Sequence, residues 1–380
     1  MKTDKHENAC EIIISQERLR ELAETLSRQS DIAVDLEMDS LHHYREKVCL
    51  IQISTRSSNW LIDPLACSDV SALAAPLGNP QIRIVMHGAD YDIRSLHRDF
   101  GIEVTNLFDT MIASRFLGIM EFGLAALLKE RFGVELDKKY QKADWSKRPL
   151  TREMQEYAVA DTATLLPLYD QLSDELQRHE RLTWLEEECR IVCQARVMEK
   201  SGPLFLYCKG AGKLKGRGLA ALEELLQLRE NMARISDRPP FKVLSADTLQ
   251  EIAGSRPQSL SELSAIKGMT PGQISRHGTA ILAAVRRAEE VSQQCLPVFP
   301  RTRKNEQVEG AKERLTHLKS WREQRCTGLG IEPGVLAPNW LLETLADAAP
   351  QVIQSFDGIS GMREWQKKLF GQELIALAAA

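Results

Sequence analysis

Up to about residue 170, apolar positions switch between strict alternation and a three-to-four spacing, as they do along α/β domains. CEIII (10–14) reads as a short strand, and Ser15 as the N-cap of a helix over QERLRELAETLSRQ. Three strands follow closely: DIAVDLEM (31–38), VCLIQIST (48–55) and NWLID (59–63). The polar HHYREK between the first two suits an exposed turn. Strands this close imply hairpins, and so a mixed sheet. SDVSALAAPLG predicts a helix, QIRIVMHG (81–88) a strand, DYDIRSLHRDFG a helix stopped at Gly101, and VTNLFDT an extended segment. Two short helices come next, TMIASRFLG and GLAALLKERFG, the second stopping at Gly133. ELDKKYQKADWSKRPL reads as a surface loop. TREMQEYAVADTATLLPLYDQLSDELQ predicts one long helix, and RLTWLEEECRIVCQARVMEK a connecting one.

Beyond residue 200 the pattern is helical. SGPLFLYCKGAGKLKGRG (201–218), rich in Gly and Lys, reads as a linker. LPVFPRTRKNEQ reads as a second linker, and the helical units on either side of it have similar size and helix order, a weak internal duplication. The expected boundaries are 1–200 for the α/β domain with its connecting helix, 201–218 linker, 219–294 first helical domain, 295–308 linker and 309–380 second helical domain.

At 380 residues with 43% hydrophobic and 27% charged positions, the chain can build two or three cores. The opening MKTDKHENAC is charged and carries no apolar leader pattern, and no run of about 18 apolar residues predicts a membrane span. The eight cysteines include no C-x-x-C pair and read as reduced, mostly buried thiols. Net charge is −4, but unevenly spread: residues 205–294 hold 13 Lys and Arg against 9 Asp and Glu, and 301–325 hold 8 against 4. An acidic unit followed by mildly basic ones is compatible with nucleic-acid contact through the later part.

The chemistry concentrates in IAVDLEMDS. Asp35 and Glu37 are two apart on a strand, so they share a face with Cα atoms about 6.5–7 Å apart, while Ile32, Val34, Leu36 and Met38 take the other face. Such a face is either a solvated edge or a metal site, because ionising two buried neighbouring carboxylates costs several kcal/mol (roughly) unless a cation offsets it. Hard oxygen ligands of this kind suit magnesium or manganese. IVMHGADYDIRSL then places Asp90 and Asp92 just after a strand, and EYAVADTATLL places Tyr157 and Asp161 on one face of a helix. Four carboxylates in this order can hold two metal ions, a clamp for phosphoryl chemistry.

At these residues the chain resembles a known family. D-x-E in VDLEMDS, H-x-x-x-x-D in HGADYD and Y-x-x-x-D in YAVAD match the three motifs of DEDDy 3′→5′ exonucleases, with ribonuclease D the nearest fit. VCLIQIS, FDT and DKKYQKADWSKRPLT agree in context, and the helical tail is similar to the two helicase-and-ribonuclease-D C-terminal (HRDC) domains of that family. The resemblance implies a ribonuclease H-like exonuclease domain, a mixed sheet flanked by helices, followed by two small all-α bundles. It assigns metal ligation by two Mg2+ or Mn2+ ions to Asp35, Glu37, Asp92 and Asp161, and orientation of the attacking water to Tyr157. It implies hydrolysis of the 3′-terminal phosphodiester of RNA with release of 5′-mononucleotides, in maturation of tRNA precursors and other stable RNA.

Around that set, Gln52, His87, Lys213, Lys215, Lys267 and Arg276 stand as candidate RNA contacts, with Lys267 and Arg276 flanking a helix–loop–helix corner. Asp90 reads as a helix-start residue, Asp39 as a cap or solvated acid, and Asp109 as a support of the site. GAGKL (210–214) lacks the phosphate-loop spacing, so no nucleotide cofactor is expected. The expected partner is RNA with an unpaired 3′ end, acted on by a cytoplasmic monomer with no membrane association. The competing readings are the same chemistry on DNA, and an inactive nuclease-like protein serving as an RNA-binding module or scaffold.

Overall fold

The computed structural model describes residues 10–198, 201–300, 310–348, 356 and 358–379. The expected extended segments form one six-stranded sheet: β1 (Cys10–Ile13), β2 (Asp31–Met38), β3 (Val48–Ser54), β4 (Asn59–Ile62), β5 (Arg83–Met86) and β6 (Leu107–Asp109). Their order is β1-β4-β3-β2-β5-β6. β3 runs antiparallel to both β2 and β4, while β1–β4, β2–β5 and β5–β6 are parallel, so the sheet is mixed as the short connections predict. The acid-bearing β2 is central. This removes the solvated-edge reading of its carboxylates.

The helices follow the sequence signals closely. Ser15 accepts the Arg18 amide at the start of α1 (Gln16–Leu26). Next come α2 (Asp90–Phe100), ended by Gly101 at φ 66°, then α3 (Thr110–Phe116), and α4 (Leu124–Phe132), ended by Gly133 at φ 67°. The single long helix expected over 151–177 is two, α5 (Arg152–Ala163) and α6 (Leu165–Arg178). Pro167 explains the break: it has no N–H to return to the Ala163 carbonyl, and its ring excludes that carbonyl. The connecting helix is shorter than expected, α7 (Leu182–Cys193).

Cross-strand partners share a sheet face, so Asp35 with Gln52, Glu37 with Leu50, and Gln52 with Leu61 lie together on one side. α5 and the loop before it cover part of that side. Cys49, Leu50 and Leu61 pack there with Trp145, Leu150, Met154 and Ala158. Arg148 fixes the loop, donating to both Asp63 oxygens at 2.5 and 2.8 Å and to the Cys49 carbonyl at 2.7 Å.

The chain groups into two compact units. The second consists of residues 39–47 and 198–303, with α8 (Arg217–Ile235), α9 (Ala246–Ser255) and α10 (Pro271–Glu290) around a core that includes Leu222, Leu225, Ile252, Ile281 and Val285. The stretch 201–218, expected as a linker, buries Phe205, Cys208 and Ala211 in this same core, so apolar burial holds it. Residues 301–308 of the other expected linker lie outside the described residues.

The last helical segment has α11 (Ala311–Leu329), α12 (Asn339–Asp347) and α13 (Glu364–Ala379), and it belongs to the first unit. Instead of closing a separate core, Leu318, Leu341, Leu342, Trp365 and Phe370 extend the core of the sheet domain. Trp365 stacks on Trp184 with centroids 4.6 Å apart and meets Phe116 edge-on. Arg181 donates to the Phe116 and Leu329 carbonyls at 2.6 Å each, and Arg363 grips both oxygens of Glu188. Among the described residues no helix is long and apolar enough to cross a membrane.

Candidate nuclease site

Three elements meet at one cleft of about 370 Å³. β2 presents Asp35 and Glu37 side by side because strand alternation puts them on one face. α5 presents Tyr157 and Asp161 one turn apart, and its buried face is held to the sheet by Ala158 and by a 2.6 Å contact between the Thr162 and Ser54 hydroxyls. Asp35, Glu37 and Asp161 each offer a carboxylate oxygen, all within 4.8 Å of one another. Asp92, in the first turn of α2, is 8% exposed and lies outside that trio, yet close enough for its charge to act on Asp35 and Glu37. The cleft walls come from Glu121 and Gly123–Ala126 at the start of α4, and from Leu136–Lys138 and Gln141 of the following loop.

The electrostatics are those of crowded acids denied water. Burial, then the charges of Asp92, Asp161 and Glu37, push Asp35 well above the carboxylate range against the help of the Leu36 amide. Burial and the charges of Asp161 and Asp92 push Glu37 up to about 9. Asp92 rises to about 8 through burial and the charge of Asp109, and Asp161 to about 6 through burial, restrained by the Tyr157 hydrogen bond. Burial and the surrounding carboxylates raise Tyr157 as well, so its phenol keeps its proton. Such a set is unstable as bare anions and complementary to a divalent cation: hard oxygens, converging, in a partly dehydrated cleft. The donor set fits the metal that the family chemistry calls for.

Several neighbours have definite structural partners. The Asp109 carboxylate accepts the amides of Gly88 (2.9 Å), Ala89 (2.7 Å) and Met111 (2.8 Å), tying the turn that launches α2 to the start of α3. Asp39 is buried and accepts the Lys47 amide at 2.8 Å, so it caps its own loop and does not face solvent. Asp90 is exposed and pairs with Arg94 one turn on, as a helix-start acid. His87 lines the cleft, and burial lowers its pKa against the charge of Asp109.

The remaining candidate contacts divide. Gln52 is the cross-strand partner of Asp35 but is fully buried, and its amide atoms meet no partner among the described residues. A sealed side chain cannot touch a nucleotide, so Gln52 belongs beneath the site. Lys213, Lys215, Lys267 and Arg276 are exposed on the second unit, well placed for solvent or phosphate. The corner after Lys267 is a packing turn: Gly268 has φ +91°, a Cβ there would come within 2.3 Å of the Thr248 hydroxyl, and Thr270 with Gln273 closes a capping box. Sequence reasoning missed a groove of about 720 Å³ in this unit, lined by Arg238, Lys242, Arg276 and His277 over Met232, Ile235 and Val243. These four basic residues are spread over about forty positions, on a loop and two helices, so no charge run announces them.

The 3′-5′ exonuclease family matches residues 10–177, and the HRDC domain matches 218–285 and 311–377. The chain is 35% identical over 289 residues to the exosome complex component 10 homolog of Caenorhabditis elegans, covering 74% of this chain but only 33% of that protein. It thus spans about a third of the length of such curated relatives. The crystal structure of the catalytic core of RRP6 from Trypanosoma brucei superposes with a TM-score of 0.66 at 31% identity, over 76% of this chain and 81% of that one. The crystal structure of Escherichia coli RNase D, an exoribonuclease involved in structured RNA processing, superposes with a TM-score of 0.74 at 28% identity, over 97% and 98%. With the acid-lined cleft on a mixed sheet, a helical tail and these likenesses, the chain belongs to the family of 3′→5′ exonucleases that carry HRDC domains, together with ribonuclease D and RRP6.

Proposed function

We propose that the protein is a metal-dependent 3′→5′ exoribonuclease that removes 5′-mononucleotides from an unpaired RNA 3′ end, in the cytoplasm and as a monomer, with tRNA precursors and other stable RNA as substrates. One observation carries the reading: three carboxylates from β2 and α5 converge within 4.8 Å in a cleft that also holds a protonated tyrosine. Asp35, Glu37, Asp92 and Asp161 would hold two divalent ions, Mg2+ or Mn2+. When bound, the ions offset the carboxylate charge, acidify a water and neutralise the phosphate.

The chain's own groups then do the rest. The Tyr157 hydroxyl donates to the Asp161 carboxylate, which leaves a phenol oxygen lone pair to accept a hydrogen from a water and aim it. A phenol with a raised pKa orients that water and does not deprotonate it. Attack at phosphorus forms the new P–O bond and breaks the bond to the 3′ oxygen of the preceding nucleotide, which leaves with a proton. The apolar packing of α5 on β3 keeps Tyr157 and Asp161 in register with Asp35 through the reaction.

The two compact units suit a division of labour. The exonuclease domain acts on the 3′ end, and the second unit grips the RNA backbone through Lys213, Lys215, Lys267 and Arg276 and through the groove of Arg238, Lys242 and His277. The last helical segment serves the nuclease by completing its core. The test is incubation with a 3′-extended tRNA, with and without magnesium or manganese, reading released mononucleotides. Metal-dependent release that disappears in Asp161→Asn supports the assignment. Undiminished release from that variant refutes it.

A further inference from the structure

The cleft contains one side chain whose hydrogen bonding is dictated from behind. His87 Nδ1 lies 2.9 Å from the Thr110 hydroxyl, and that hydroxyl lies 3.1 Å from the Met86 carbonyl. Thr110 is fully buried, so water does not complete the set. A hydroxyl has a single proton. If Thr110 spends it on Met86, it accepts from a protonated Nδ1 and both bonds form. If it donates to His87, the Met86 bond is lost. The arrangement that makes both bonds is favoured, because an unmet buried polar group costs more than a bond gained. The neutral imidazole is therefore the Nδ1–H tautomer, and its Nε2 carries a lone pair.

Among the described residues the His87 side chain hydrogen-bonds protein through Nδ1 alone, which leaves Nε2 open. His87 also lines the cleft with Asp35, Tyr157 and Asp161. A fixed acceptor thus faces the place where the terminal nucleotide would sit. An acceptor cannot bond a phosphate oxygen, which is itself an acceptor. It suits a hydroxyl, and the hydroxyl that distinguishes RNA from DNA is the ribose 2′-OH.

We propose that His87 reads the 2′-hydroxyl of the 3′-terminal ribose, with Thr110 as the positioning residue that fixes its tautomer. This rests on the exoribonuclease reading of the cleft and adds the feature that separates RNA from DNA there.

The experiment uses the full chain with magnesium on two single-stranded RNAs that are identical except for a 2′-deoxy terminal nucleotide. Wild type is expected to hydrolyse the all-ribose strand up to about tenfold faster, the span of one hydrogen bond. His87→Ala should lower the ribose rate more than the deoxy rate, so that the two rates meet. His87→Gln, which keeps an acceptor at similar reach, should restore part of the preference. Thr110→Val should narrow it as the imidazole loses its anchor. Thermal melting checks that each variant is folded.

Equal loss on both strands in His87→Ala would overturn the proposal, showing an imidazole that donates to phosphate or merely packs. Retained preference in that variant would overturn it too. Absence of any hydrolysis by wild type would instead strike the exoribonuclease reading itself, so the two failures are distinguishable.

Discussion

Glu37→Gln should make the metal-free protein more stable while weakening its response to metal. Glu37 is raised from 4.5 to about 9 by burial and by the charges of Asp161 and Asp92. A carboxyl raised on folding binds its proton more tightly in the native state, so stability is greatest below the unfolded value and falls as pH rises towards 9. At pH 7 the gap from 4.5 corresponds to about 3.4 kcal/mol, at 1.36 kcal/mol per pH unit. Water reaching the half-buried cleft reduces this, leaving about 1–3 kcal/mol as the cost that the substitution removes. A domain of this size gains about 2–4 °C per kcal/mol, so the variant should melt roughly 2–12 °C higher in chelator at pH 7. The gain should shrink at pH 5, where little of the cost applies. Wild type should recover the difference when magnesium binds its native state, and Glu37→Gln should gain less from the ion. Differential scanning calorimetry with and without magnesium at the two pH values reads all of this. A variant that melts at or below wild type in chelator, at both pH values, would refute the account of the cleft as a set of repelling acids.

Three further outcomes follow from the packing and charge. Trp365→Ala removes the partner of Trp184 and Phe116, and should cost the first unit about 3–5 kcal/mol, with nuclease activity lost at lower temperature than in wild type; an unchanged melting temperature would show that the last helical segment is not part of that core. Burial would raise Asp63, but the Arg148 bonds and charge and the Leu65 and Ala66 amides outweigh it and hold the group below its usual value. Its contribution is therefore present above about pH 4 and lost as pH falls further, and the loop carrying Trp145 should become protease-sensitive in acid, as Asp63→Asn should be already at pH 7. Replacing Arg238, Lys242 and Arg276 together by Ala should weaken RNA binding and flatten its log–log salt dependence by about 2, from about 0.7 per phosphate contact on a single strand; an unaltered slope would remove the groove from the RNA path.

The sequence by itself determined the local structure and the cast of the site. Alternation set the strand at 31–38 and a compact apolar run the one at 48–54, side-chain caps at Ser15, Thr151 and Ser245 set helix starts, and glycines at 101 and 133 set stops, because these signals act within a few residues. The spacing of Asp35 with Glu37 and of Tyr157 with Asp161 fixed which side chains share a face. Tertiary structure decided what depends on distant partners. It made β2 central, so that its acids became a desolvated cluster. It sealed Gln52 beneath the site and closed Asp39 onto its own loop. It drew the stretch 201–218 into the second core and the last helical segment into the first, because apolar residues pack with whatever surface is near in space, and order along the chain does not specify that surface. It also chained His87 through Thr110 to Met86, a contact between two strand ends that no local pattern announces.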